Sequence, residues 1–183
     1  MRFATFFVLF SAASVLAIPF KRDVDTVKAD FATIDTQLTN LNDTITSFPS
    51  SGGTPAQLLA IHGAASALDS SVKRSTADIL ATAAFNYADG EFLIAKLADR
   101  FQITIYYVTL GIKGIADQLK GTELDGPEFT RGETLQAIKT LNTTFSALSD
   151  ALIPKLPFVL VPAATKIKES IASDFALGIF LLN

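Results

Sequence analysis

The amino-acid sequence predicts an all-α fold: an antiparallel bundle of about five helices with an elongated apolar interior. Three observations lead there. Apolar residues recur in steps of three and four in segment after segment, the spacing that keeps side chains on one stripe of a helix turning every ~3.6 residues. Pro and Gly clusters punctuate these segments, leaving short links between them. The 183-residue chain has no Cys and no Trp, so its 15 Phe and its aliphatic residues must hold the fold by packing alone.

Residues 1–17 precede the fold. Arg2, the apolar run Phe3 to Leu16, and Val15 and Ala17 at the −3 and −1 positions of a cleavage site read as a secretory signal peptide. The run is shorter than the ~18 residues of a membrane span. Residues 18–22 form a short leader in which Lys21-Arg22 is either a dibasic processing site or a pair of solvated charges. Residues 23–183 are expected to form a single helical-bundle domain.

The first helix is predicted from Asp23 to Ser47, on the ladder Val24, Val27, Phe31, Ile34, Leu38, Leu41, Ile45 and Phe48. Asp23, Lys28, Asp30, Asp35, Gln37, Asn40 and Asp43 lie between the rungs and suit water. After Ser50-Ser51-Gly52-Gly53, Thr54-Pro55 reads as an N-cap with Pro at the first helical position. The second helix carries Leu58, Ile61, Ala65, Leu68, Val72 and Ile79, with Ser75 filling one rung, and is expected to reach Phe85. Asp89-Gly90 marks a bend or stop. The third covers Glu91 to Leu119 on Leu97, Phe101, Thr104, Ile105, Val108, Ile112, Ile115 and Leu119. Its Ile103–Thr109 stretch favours strand by propensity, yet the flanking helical period and the lack of a partner strand favour helix. Lys120-Gly121 is expected to end it, and Asp125-Gly126-Pro127 to begin the next, which holds Leu135, Ile138, Leu141, Phe145, Leu148 and Leu152. Pro154 and Pro157 force a break. The last helix starts near Pro162 and carries Ile167, Ile171, Phe175 and Ile179. The apolar Phe175–Leu182 run reads as core helix rather than a lipid-anchor signal, which wants a polar spacer and a longer tail.

Composition narrows function. The whole chain carries a net charge of −3. Loss of residues 1–22 would remove three basic residues and no acidic one, so the domain is more acidic still. That argues against a nucleic-acid partner. No catalytic constellation appears, so the chain is expected not to be an enzyme. The single His, His62, sits inside the second helix near its apolar stripe, where a helix–helix border suits it better than catalysis. The sequence has no Gly-x-Ser-x-Gly elbow, His-Glu-x-x-His motif, Cys cluster or Asp-rich loop. No cofactor or metal is expected. The carboxylates are scattered along solvated faces without an evident acid/base pair. Asn42-Asp43-Thr44 and Asn142-Thr143-Thr144 are glycosylation sequons, making Asn42 and Asn142 candidate acceptors.

The segment Gln57-Leu58-Leu59-Ala60-Ile61-His62-Gly63-Ala64-Ala65-Ser66-Ala67-Leu68-Asp69 resembles the fungal hydrophobic surface-binding protein A family, which includes antigenic cell-wall galactomannoproteins. Other parts are similar too: the signal peptide, the opening Asp-Val helix with Ile34-Asp35 and Leu38, Leu93-Ile94-Ala95-Lys96, and the Pro-punctuated entry to the last helix at Pro154 to Pro162. The resemblance implies an all-helical bundle that binds long-chain fatty acids in an elongated apolar cavity. It also implies adsorption to hydrophobic surfaces and recruitment of a secreted cutinase-type esterase. No Ser/Thr-rich stalk follows the domain, which favours free secretion over permanent attachment to the cell wall.

Joined to the stripes, the resemblance makes the first expected function a secreted carrier of long-chain fatty acid or a similar apolar ligand. Its lining would be Phe31, Ile34, Leu38, Leu68, Val72, Phe101, Ile105, Val108, Leu141, Phe145, Ile171 and Phe175. Gln102, Thr104 and Ser75 are candidates for the ligand's polar end. The same twelve residues would equally serve as filled core. The second expectation is a surface-active adaptor that lays its stripes on wax, polyester or cell wall and recruits an esterase.

Overall fold

The computed structural model describes residues 23–119 and 131–182. Among the described residues six α-helices make five rods: α1 (Val24–Thr46), α2 (Pro55–Ala81), α3 (Tyr87–Lys96) continuing through a π-helical turn (Leu97–Gln102) into α4 (Ile103–Leu119), α5 (Arg131–Leu152) and α6 (Val161–Leu182). The expected signal peptide, leader, and Lys120-Gly121 and Asp125-Gly126-Pro127 boundaries fall outside the described residues.

Local chemistry explains the boundaries. Thr54 and Gln57 form a reciprocal capping box at the start of α2: Gln57 N–H donates to Thr54 Oγ1 at 3.3 Å and Thr54 N–H to Gln57 Oε1 at 2.8 Å. α2 stops at Ala81, short of the expected Phe85, because Thr82 turns extended. Lys155 Nζ then donates to the carbonyls of Leu80 (3.3 Å) and Thr82 (2.6 Å), satisfying part of the helix's C-terminal carbonyl end. Asp89-Gly90 does not stop a helix. It lies in the first turn of α3, which Asn86 caps by accepting from Asp89 N–H at 2.9 Å. Gly90 is there for close approach: a Cβ would come within 2.9 Å of Leu160 and 3.0 Å of Leu156. Pro154 and Pro157 break the chain into two short 3-10 turns, Ile153–Lys155 and Phe158–Leu160.

The third rod was expected to be one uniform helix, and the π turn corrects that. Leu93, Leu97, Phe101 and Ile105 are spaced by three successive fours, 12 residues against about 10.8 for three α-turns. The excess is about one residue, which a π turn absorbs, and all four side chains stay at 2% exposure or less. The Ile103–Thr109 stretch is helical despite its strand propensity.

The rods form a closed ring. α1 packs on α2 and α4, α2 on α5, α5 on α6, and α6 on α4. Consecutive rods run antiparallel. An odd ring cannot alternate throughout, and the pairs α1/α4, α4/α6 and α2/α5 run parallel. The register is visible where Asp35 meets Arg100 and Ile45 meets Gly111, and where Gln102 meets Ser170 and Thr109 meets Gly178. With helices about 8–10 Å apart, the axis of a five-membered ring lies roughly 8 Å from each helix, farther than in a four-helix ring. Long side chains must bridge that gap. Phe31, Phe101, Phe145 and Phe175 do so from α1, the π turn, α5 and α6, with successive ring centroids 5.5, 6.3 and 5.8 Å apart.

Candidate functional site

The twelve residues expected to line the interior all lie in one continuous core, each at 3% exposure or less. They meet around the bundle axis and fill much of it with their own side chains. Toward the end where α2 and α5 begin and α4 finishes, a cavity of about 30 Å³ sits among Ile61, His62, Ala65, Ile112, Ile115, Ala116, Thr134 and Ala137. A more open groove of about 260 Å³ shares His62, Ala65 and Ala137 and runs along the α2–α5 seam past Ser66, Asp69, Glu133, Gln136, Thr140 and Leu141. Ala65, Ser66, Ala137 and Thr140 give this stretch small side chains, within a pair of helices that pack extensively along their length. From Ile61 to Ser75, α2 spans about 21 Å.

The polar candidates part company. Gln102 is half-buried, and its Nε2 donates to Ser170 Oγ at 2.7 Å. Thr104 is half-buried as well. Ser75 is fully buried, and its Oγ has no hydrogen-bond partner. Thr109, which the sequence reading passed over, has the same character at 1% exposure. A buried hydroxyl without a partner is unfavourable by about 1–3 kcal/mol, so each would gain from a polar guest atom. Asn42 and Asn142 are half-buried on α1 and α5. His62 is exposed and borders the small cavity and the groove.

Two expectations about carboxylates are corrected. Asp30 does not face water, and a carboxyl pair does exist. Asp30 on α1 and Asp78 on α2 are 4% and 5% exposed. They interact across the seam, and Arg74 Nε lies 3.2 Å from Asp30 Oδ1. Burial raises the Asp30 pKa to about 6, the facing Asp78 carboxyl adds to the rise, and Arg74 opposes it. Asp30 directly precedes Phe31 on the flank of the ladder; only the pairing of α1 with α2 brings it against Asp78. Burial also raises Asp174 on α6. Lys28 is raised by its hydrogen bond to Asp89, at 2.5 Å. Among the described residues no group of three or more His, Asp or Glu stands together to hold a metal, and no helix is long and apolar enough to cross a membrane.

The architecture is a five-rod all-helical bundle with a Phe-filled axis. The family model for hydrophobic surface binding protein A matches residues 24–154. The chain belongs to the hydrophobic surface binding protein A family. Its fold is similar to AfMP4p, solved in complex with palmitic acid, with a TM-score of 0.78 and 22% identity over 88% of this chain and 100% of that one. It is also similar to ligand-binding domain 1 of the Penicillium marneffei MP1 protein, solved with arachidonic acids (TM-score 0.75, 15% identity, 88% and 99% covered). Ligand-binding domain 2 of the same protein, solved with multiple arachidonic acids, matches with a TM-score of 0.69 at 16% identity, covering 89% of this chain and 97% of that one. No curated protein sequence matches the chain.

Proposed function

We propose that this protein is a secreted, non-enzymatic carrier that holds a long-chain fatty acid between its helices. The observation that carries the reading is the apolar five-rod interior, in a fold whose solved relatives contain palmitic or arachidonic acid. The guest would lie along the axis against Phe31, Phe101, Phe145 and Phe175, displacing their rings from mutual contact. It would enter where the small residues of the α2–α5 seam part. Ser75 is the favoured polar partner, and the Gln102–Ser170 pair would have to open before Gln102 could serve. Each buried methylene contributes about 0.8 kcal/mol, so a sixteen-carbon chain supplies on the order of 11 kcal/mol against an association cost of roughly 4–15 kcal/mol. Opening a filled axis consumes part of that gain. Organic extraction of the purified protein followed by lipid mass spectrometry, with uptake of added palmitate, tests the reading. Recovered or absorbed fatty acid supports it; neither in any preparation overturns it.

One further observation favours adsorption to hydrophobic surfaces as a second activity. The outer face of α4 exposes Ile103, Tyr106, Tyr107 and Leu110, and neighbouring α6 exposes Leu177 and Phe180. Lodged on wax or polyester, this band would leave the acidic faces wet and present the protein to a secreted cutinase-type esterase. Depletion onto a polyester film should rise with salt as the net negative charge is screened; no adsorption at any ionic strength overturns this reading.

A further inference from the structure

We propose that the α4–α6 seam holds a subsite for a hydroxyl group, formed by Thr109 and Asp174, and that the guest is an oxygenated long-chain acid whose hydroxyl lies far from its carboxyl. The inference rests on the fatty-acid reading above and narrows its class of guest.

Two buried polar atoms carry the argument. Thr109 Oγ1 and Asp174 Oδ2 each lack a hydrogen-bond partner, so they are not bonded to each other. Yet they belong to one seam. Ser170, Asp174 and Gly178 form a row on α6 in steps of four, the spacing that keeps residues on one helix face. Both ends of the row meet the neighbouring rod. Gln102 of the π turn donates to Ser170 at 2.7 Å, and a Cβ at Gly178 would collide with Thr109 Cγ2. Asp174 lies between these two contacts. Glycine at 178 is what admits Thr109, and Ile138 of α5 reaches within 3.6 Å of the same point. With Thr109 at 1% exposure, the subsite borders the interior rather than the outer surface.

Other buried hydroxyls are satisfied within their own helix. Thr82, Thr144 and Ser149 donate to the carbonyl four residues back, at 2.7, 3.2 and 3.0 Å. Thr109 makes no such bond. Its hydroxyl is a donor without an acceptor, and Asp174 Oδ2 is an acceptor without a donor. One hydroxyl inserted between them satisfies both, accepting from Thr109 and donating to Asp174. A second carboxylate would not, because it has no proton to give. Burial already raises the Asp174 pKa, so added negative charge here is unfavourable.

The position of Ser75 says where on the guest the hydroxyl falls. Contacts through α1, Asp30 with Arg74 and Ile45 with Gly111, set Ser75 and Thr109 roughly 20 Å apart along the bundle. Contacts through α5, the groove against α2 and Ile138 beside Gly178, give roughly 12 Å. A carbon chain of ~1.5 Å bonds advances about 1.25 Å per carbon, so the hydroxyl belongs about ten to sixteen carbons from a carboxyl held at Ser75.

The test measures affinities by displacement of cis-parinaric acid, a fluorescent fatty acid, and by calorimetry. The guests are stearate, 12-hydroxystearate, palmitate and 16-hydroxypalmitate. In wild type at least one hydroxylated acid should bind threefold or more tighter than its parent. Thr109→Val keeps the shape but should reverse that preference while leaving the parent acids unchanged. Thr109→Ser should keep the preference, Asp174→Ala should reduce it, and Ser75→Ala should weaken parent and hydroxylated acid alike. Hydroxylated acids that bind no tighter than their parents, or a preference that survives Thr109→Val, overturn the subsite and leave the fatty-acid reading standing. Equal weakening of parent and hydroxylated acid by Thr109→Val overturns it too. If neither the probe nor any of the four acids binds, the fatty-acid reading falls and the subsite's role with it. Thermal unfolding without ligand decides separately whether the hydroxyl is unpartnered. Thr109→Val should unfold at or above the wild-type temperature; a fall of more than 2 °C, or failure to fold, would show the hydroxyl already engaged and overturn the subsite.

Discussion

The two seams of α2 differ sharply. Toward α1, the helix interlocks Leu68, Val72 and Ile79 with Val27, Phe31, Ile34 and Leu38, all at 1% exposure or less. Toward α5, it offers Ala65, Ser66 and Asp69 to Ala137, Gln136 and Thr140, and a groove remains between them. One seam is closed by bulk and carries a buried acid pair; the other is also extensively packed but leaves a groove along one stretch. The groove puts the proposed guest entry on the α2–α5 side rather than the α1–α2 side.

The largest expected effect breaks the strong region. Phe101→Ala removes the ring that touches both Phe31 and Phe145, and should destabilise the fold by about 3–5 kcal/mol. Thermal unfolding should therefore fall by on the order of 10 °C. A drop under 2 °C would mean that the axis is not held by these rings. Next, Ala137→Leu fills the grooved seam. Uptake of fluorescent fatty acid should slow at least tenfold, while Leu38→Ala, on the opposite seam, should lower stability without slowing uptake. Equal slowing by both variants would erase the distinction between the seams.

The acid pair sharpens the comparison on a smaller scale. Asp30 titrates near 6 when folded against an ordinary value of 3.8. Between those values the folded chain keeps a proton that the unfolded chain has lost, so stability from this group is full below pH 3.8 and drains away as pH rises through 6. The loss is on the order of 3 kcal/mol, which a widening gap between Asp30→Asn and wild type in thermal unfolding should report as pH rises. The smallest effect belongs to the outer band. Phe180→Ser should alter thermal stability by about 0.5 kcal/mol or less, because its side chain is 76% exposed, while weakening adsorption to a polyester film.

Much of the fold is legible in the spacing of apolar residues, because a stripe depends only on helical period. Val27 to Ile45, Leu58 to Ile79 and Ile138 to Leu152 are buried as their ladders require. Even the π turn is written in the three successive fours from Leu93 to Ile105, each rung of which is buried. Seam identity is different. Stripes say that rods pack, not which rods become neighbours, so nothing in the ladders brings Asp30 against Asp78 or Ala65 against Ala137. Gly90 shows the same limit, since a residue suited to a bend serves instead where Leu156 and Leu160 press close. The aromatic chain was foreseeable as a set of residues, whereas its filling of the axis follows from a five-membered ring that no local pattern specifies.

The absence of Cys allows the central claim to be tested directly. Cysteines placed at Ala65 and Ala137, which both border the small cavity and the groove, would staple the α2–α5 seam when oxidised. Uptake of cis-parinaric acid should be abolished in the oxidised protein and restored on reduction. Unchanged uptake in the fully oxidised protein would contradict an interior loaded through that seam.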